Sequence, residues 1–112
     1  MGDQKQLHQA RMTLEAEAAR LRESIAEAIE GPGQMTYGSQ AAAATHVFEQ
    51  QRDLALRDHE RAQLALVEDA LARLGVGTYG TCTSCGRPIA EARLEAIPWA
   101  GTCIECARDA QR

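Results

Sequence analysis

Four cysteines near the C-terminal end constrain this chain more than anything else in it. They read Cys82-x2-Cys85, then seventeen residues, then Cys103-x2-Cys106, and the 112 residues contain no others. Two close pairs at that separation read as a four-thiolate zinc site. Tetrahedral Zn2+ needs four soft donors about 2.3 Å away, and each Cys-x-x-Cys turn supplies two of them. Gly86, directly after Cys85, suits a tight knuckle with positive φ, and Gly101 ahead of the second pair is a weaker sign of the same kind. Four thiolates close the coordination shell and leave no position for water or substrate. One structural Zn2+ is therefore expected, contributing folding energy rather than chemistry. Two disulfides would instead suit a small secreted domain, but no hydrophobic leader opens the sequence. A redox Cys-x-x-Cys enzyme would need one pair inside a βαβ pattern, which is absent.

The rest of the chain is not built for a large globular core, with one Trp, one Phe and two Tyr. Ala, Leu, Glu, Arg and Gln dominate, as in long helices and coiled coils. The longest apolar run is too short to span a bilayer. No targeting segment is visible, and reduced cysteines agree with a cytoplasmic location. The formal charge is −4. Four thiolates around one Zn2+ bring it near about −6, which argues against a simple phosphate-binding protein. No nucleophile–base–acid set, phosphate loop or internal repeat appears, so no enzyme is expected.

Residues 3–30 read as a helix whose seam carries Leu7, Leu14, Leu21 and Ala28, with Arg11, Ala18 and Ile25 on the intervening spacing. Gly31-Pro32-Gly33 stops it. Residues 31–40 form a loop in which Met35 and Tyr37 are the only sizeable side chains. They either cover the end of the helix pair or make contacts at an exposed tip. Ser39 is a candidate N-cap for a second helix over 40–75. Its seam is clear at Leu64, Val67, Leu71 and Leu74, and is carried toward the tip by Val47 and Leu54, with Phe48 nearby. A polar belt, Arg57 to Arg61, is expected to be solvated or paired with acids of the first helix. Two such helices joined by a short loop pack as an antiparallel hairpin, roughly 40–50 Å long at about 1.5 Å per residue.

The expected organisation is thus mainly α: a coiled-coil hairpin over 1–75 with its tip loop near 31–42, joined at Gly75-Val76-Gly77 to a four-cysteine module over 76–112. Within the module, 90–96 can form a short helix, Trp99 is expected over the zinc knuckle, and a final helix over 104–112 is expected to meet the hairpin base through Ile104.

A helical hairpin running into Gly77-Thr78-Tyr79-Gly80-Thr81-Cys82-Thr83-Ser84-Cys85-Gly86 resembles the DksA/TraR family of zinc-finger proteins. Arg87-Pro88-Ile89, Arg93-Leu94-Glu95-Ala96, Pro98, Cys103-Ile104-Glu105-Cys106 and Arg57-Asp58-x-Glu60-Arg61 extend the resemblance. It is specific from about residue 54 to 107 and architectural before that. It implies a bacterial, phage or plasmid transcription regulator that binds RNA polymerase rather than DNA. The coiled-coil tip would enter the secondary channel while the zinc end stays at the rim. The contact residues would be Met35, Tyr37, Ala42, Ala44, Val47 and Phe48, and the protein would act as a monomer.

Two departures from the family pattern matter. Family members carry acidic residues at the tip, but gapless alignment from Cys82 places Ala41 to Ala44 there, with Glu30 and Glu49 the nearest acids. Members that respond to ppGpp use basic residues where this chain has His59, Leu66, Ile97 and Ala107, so no such ppGpp site is expected. An alternative is a zinc-stapled adaptor that meets another partner through the same tip. A third reading gives Arg87, Arg93, Arg108 and Arg112 to a nucleic-acid patch.

Overall fold

The structure is a computed structural model that describes residues 4–30 and 40–111, with side chains for 4–27 and 47–111. Among these residues it contains four helices: α1 (Gln4–Glu30), α2 (Gln40–Val76), α3 (Glu91–Ala96) and α4 (Ile104–Ala110). No strand is present there beyond an isolated antiparallel bridge, Thr81 to Pro88. Helices α1 and α2 pack on each other as the expected hairpin. The molecule is elongated, 60 × 33 × 20 Å.

The core is small and lies at the zinc end of the hairpin. Leu14, Ala18, Leu21, Val67, Ala70 and Tyr79 are buried together, with Leu7, Ala10, Leu64, Leu71, Leu74, Leu94 and Trp99 packed around them. One expectation needs correction: the position facing α2 one turn before Leu14 is Ala10, while Arg11 is exposed. A three-residue step from Leu7 to Ala10 keeps the guanidinium in water and costs the core nothing but side-chain volume. Trp99 is partly buried against the hairpin core, so the only indole sits at the junction between arm and module.

Beyond Leu21 and Leu64 the seam turns polar. Ser24 donates a hydrogen bond to the Glu60 carboxylate at 2.5 Å there, while Arg22 pairs with Glu68 at 3.0 Å on the exposed flank of the core. Of the expected belt, Asp58, His59 and Arg61 are solvated, but none of its cations pairs with an acid of α1 among the described ion pairs. Instead Arg61 pairs within α2 to Asp58, and Glu17 pairs within α1 to Arg20. Arg20 draws the Glu17 carboxyl below its ordinary value. Exposed pairs of this kind contribute little, up to about 1 kcal/mol each. Val47 and Leu54 do not close the seam toward the tip, since both are at least half exposed.

Helix α2 runs one residue past its expected end at 75 and stops within the expected joint, at Val76. Its end is set by Gly77, whose φ of +82° is the left-handed position that a side chain would resist. The next N–H, of Thr78, then donates to the Arg73 carbonyl at 2.9 Å, the six-to-one bond of a Schellman cap.

The candidate metal centre

The first cysteine pair sits on a turn built by its own backbone. Cys82 N–H donates to the Arg87 carbonyl at 2.8 Å, and Gly86 N–H returns to the Cys82 carbonyl at 3.0 Å. Gly86 has φ +77°, as its place in the sequence requires. The Cys85 N–H points at the Cys82 sulfur, 3.5 Å away, which is how a knuckle amide supports a metal-bound thiolate. The second pair opens α4, with Cys103 as its first capping residue and Cys106 one turn on.

A strap joins the two halves. Residues 98–102 lead into Cys103, and every backbone carbonyl along them accepts a hydrogen bond. Tyr79 Oη donates to Pro98 at 2.8 Å. Arg73 Nη2 donates to Trp99 at 3.3 Å and Ala100 at 3.4 Å. The Thr83 N–H reaches Gly101 at 2.8 Å, and Arg93 Nε reaches Thr102 at 2.9 Å. Gly101 does not show the backbone conformation expected of it. Its φ is not left-handed; a Cβ there would stand 3.4 Å from the Arg73 guanidinium. The second pair is thus placed by α2 through Arg73 and by the first knuckle through Thr83.

Tyr79 gives this strap a pH signature. Burial raises its phenol above the ordinary value, and the nearby Arg73 charge offsets part of the rise. The folded state thus favours the neutral, hydrogen-bonding form. Its stabilisation is complete below the ordinary tyrosine pKa of about 10 and is lost as pH rises through the folded value. Tyr79→Phe should cost about 1 kcal/mol at pH 8. It should also make the melting temperature less sensitive to alkali than that of the unmodified protein, measured between pH 8 and 11. Parallel pH profiles would remove Tyr79 from the account.

All four thiols converge. The sulfurs of Cys82, Cys85, Cys103 and Cys106 lie within 4.8 Å of one another, and Cys85 and Cys103 are 3.8 Å apart. A tetrahedron with zinc–sulfur bonds of about 2.3 Å has edges of about 3.8 Å, so the cage has the size the ion demands. Its electrostatics agree. The backbone N–H of Cys103, with those of Cys85 and Ser84 and the Cys85 thiol, draws the Cys82 thiol down to about 6. Arg87 lowers Cys85. Cys106 is pushed up to about 12, first by hydrogen bonding with Cys103, then with Cys82 and Cys85. The site stabilises some thiolates and resists the last one, which is the behaviour of a cage that needs a cation at its centre.

Comparison with known proteins agrees with this geometry. Residues 77–112 match the family model described as the prokaryotic dksA/traR C4-type zinc finger. The structure of transcription factor DksA2 from Pseudomonas aeruginosa superposes with a TM-score of 0.81 at 29% identity, over 97% of this chain and 85% of that one. Residues 77–112 are thus a DksA/TraR-type C4 zinc finger, and the chain as a whole has the fold of DksA2. It is also similar to two curated proteins. An uncharacterised protein, YteA of Bacillus subtilis, is 44% identical over 62 residues, which are 55% of this chain and 26% of that protein. The RNA polymerase-binding transcription factor DksA of Haemophilus influenzae is 39% identical over 66 residues, 59% of this chain and 46% of that one. The chain thus spans less than half the length of these two relatives. One structural Zn2+ in the C4 site is the cofactor that this DksA/TraR finger takes.

The contact residues expected at the tip are a different matter. Met35 and Tyr37 lie outside the described residues, and Ala42 and Ala44 fall in α2 with side chains outside them. Val47 and Phe48 are exposed, at 50% and 74%. The arginines expected as a nucleic-acid patch are partly engaged elsewhere. Arg93 holds the strap, and Arg87 bonds Cys85 and Glu105. Sequence reasoning missed Arg73, Arg87, Arg93 and Tyr79 as the groups that place the cysteines. Tyr79, Arg87 and Arg93 carried a signal only as members of the runs that resemble the family, and Arg73 carried none.

Proposed function

We propose that this protein is a non-enzymatic transcription regulator that binds bacterial RNA polymerase directly. The hairpin tip enters the secondary channel and the zinc end stays at its rim. The observation that carries this reading is the likeness to Pseudomonas aeruginosa DksA2 along nearly the whole chain, hairpin and finger together. A slender acidic hairpin in a molecule 60 Å long also suits entry into a deep basic channel. Action as a monomer in the cytoplasm, without sequence-specific DNA contacts, belongs to the same proposal. No helix among the described residues is long and apolar enough to cross a membrane.

The tip chemistry would differ from that of acidic-tipped relatives, because Ala41 to Ala44 offer no carboxylate. Binding of ppGpp at the family position is not part of the proposal, since His59, Leu66, Ile97 and Ala107 supply no permanent cation. Val47 and Phe48 favour a second reading, in which they anchor a different protein partner by apolar contact.

Co-purification on bacterial core polymerase tests the first reading. The full chain is expected to form a complex on gel filtration, and deletion of residues 31–44 is expected to abolish it. Absence of a complex with the full chain would reject polymerase binding. A complex that survives the deletion would reject tip insertion alone.

A further inference from the structure

Cys85 is the exposed ligand of the four, while Cys82 is buried and Cys103 and Cys106 are half-buried. Among the four it is the residue most open to water, protons and electrophiles. Arg87 lies against it. Its Nε donates to the Cys85 sulfur at 3.4 Å, and its Nη2 donates to the Glu105 carboxylate at 3.1 Å. Glu105 sits between Cys103 and Cys106. One guanidinium therefore ties the exposed thiolate of the first pair to the helix that carries the second.

We propose that Arg87, held by Glu105, is an outer-shell positioning residue that guards the Cys85 thiolate and sets how fast zinc leaves this site. The proposal rests on the zinc assignment, not on polymerase binding. Zinc departs one thiolate at a time. In the first step a zinc–sulfur bond breaks and the freed sulfur takes a proton from water, or forms a carbon–sulfur bond with an electrophile as its leaving group departs. The exposed sulfur is the place for that step. An N–H donor withdraws electron density from sulfur, and a nearby cation offsets part of the net negative charge that four thiolates leave on the zinc centre. Both effects slow protonation and attack. The planar fork matters because two different N–H groups serve two partners at once. A lysine ammonium keeps the charge without that geometry.

The test uses the full-length, zinc-loaded protein. Metal analysis first establishes one zinc per chain; its absence would overturn the zinc reading and this proposal together, and leave the polymerase experiment standing. Zinc transfer to the chromogenic chelator 4-(2-pyridylazo)resorcinol is then timed, and alkylation of each cysteine by iodoacetamide is followed by peptide mass spectrometry. Arg87→Ala should release zinc about 10-fold faster, as loss of outer-shell partners does elsewhere, with Cys85 alkylated first. Arg87→Lys should fall between, and Glu105→Gln should accelerate release less than Arg87→Ala. The melting temperature of the loaded protein should barely move, since Arg87 is on the surface. Wild-type release and alkylation rates in Arg87→Ala would overturn the proposal. Should that variant fail to load zinc, wild-type rates in both Arg87→Lys and Glu105→Gln would overturn it equally.

Discussion

Removing zinc should unfold the module and leave most of the helix standing. Helices α3 and α4 hold 6 and 7 residues, against 27 and 37 in α1 and α2. The circular dichroism signal at 222 nm should therefore fall only modestly on chelation. Trp99 should report much more, because it packs at the junction between arm and module. Structural zinc in small fingers is worth about 10–16 kcal/mol in apparent terms, which equals or exceeds the whole stability of a small domain. No residue of α3 or α4 is buried, so the module has little apolar core to fall back on without the ion. Cys103→Ser should reproduce the effect of chelation. If Trp99 fluorescence and the melting curve stay unchanged in protein shown to be metal-free, zinc does not hold this fold.

A single hole in the hairpin core should also be damaging, though less so. Leu14 is fully buried and lies in the same cluster as Ala18, Leu21, Val67 and Ala70. Leu14→Ala removes its contacts and leaves a cavity, at a cost of about 3 kcal/mol. For a chain of this size that is a fall in melting temperature on the order of 10 °C or more. Leu66 is the matched control. It is on α2 but 48% exposed, so Leu66→Ala should stay within about 0.5 kcal/mol of the unmodified protein. Equal losses at the two positions would mean that the hairpin does not pack along the described seam.

Much of this was legible from the sequence, for identifiable reasons. The cysteine spacing carries the metal site because tetrahedral coordination by two short turns leaves few alternatives. The hairpin was legible where the heptads are apolar, at Leu14, Leu21, Val67 and Leu74. It failed where polar residues occupy the seam, since periodicity of Ser24, Arg57 and Glu60 says nothing about facing. Arg11 misled for a related reason: three- and four-residue steps alternate along a helix, and only packing decides which neighbour turns inward. The strap was invisible. Its bonds join Arg73, Tyr79 and Arg93 to backbone carbonyls 9 to 27 residues away, and carbonyls leave no trace in a sequence. Ile104 was expected against the hairpin but is about half exposed, because Cys103, Cys106 and Glu105 fix α4 without it.

The strap also has a mechanical consequence. Phe48 lies 25 residues before Arg73 on the same helix, roughly 38 Å along its axis. Arg73 and Tyr79 grip the segment leading to Cys103 within a few residues of where that helix ends. A sideways load near Phe48 therefore acts through a long moment arm on a short one. A force applied at the far end arrives magnified at the carbonyls of Trp99 and Ala100, close to the metal ligands. Whatever seizes the outer hairpin pulls on the zinc cage as well.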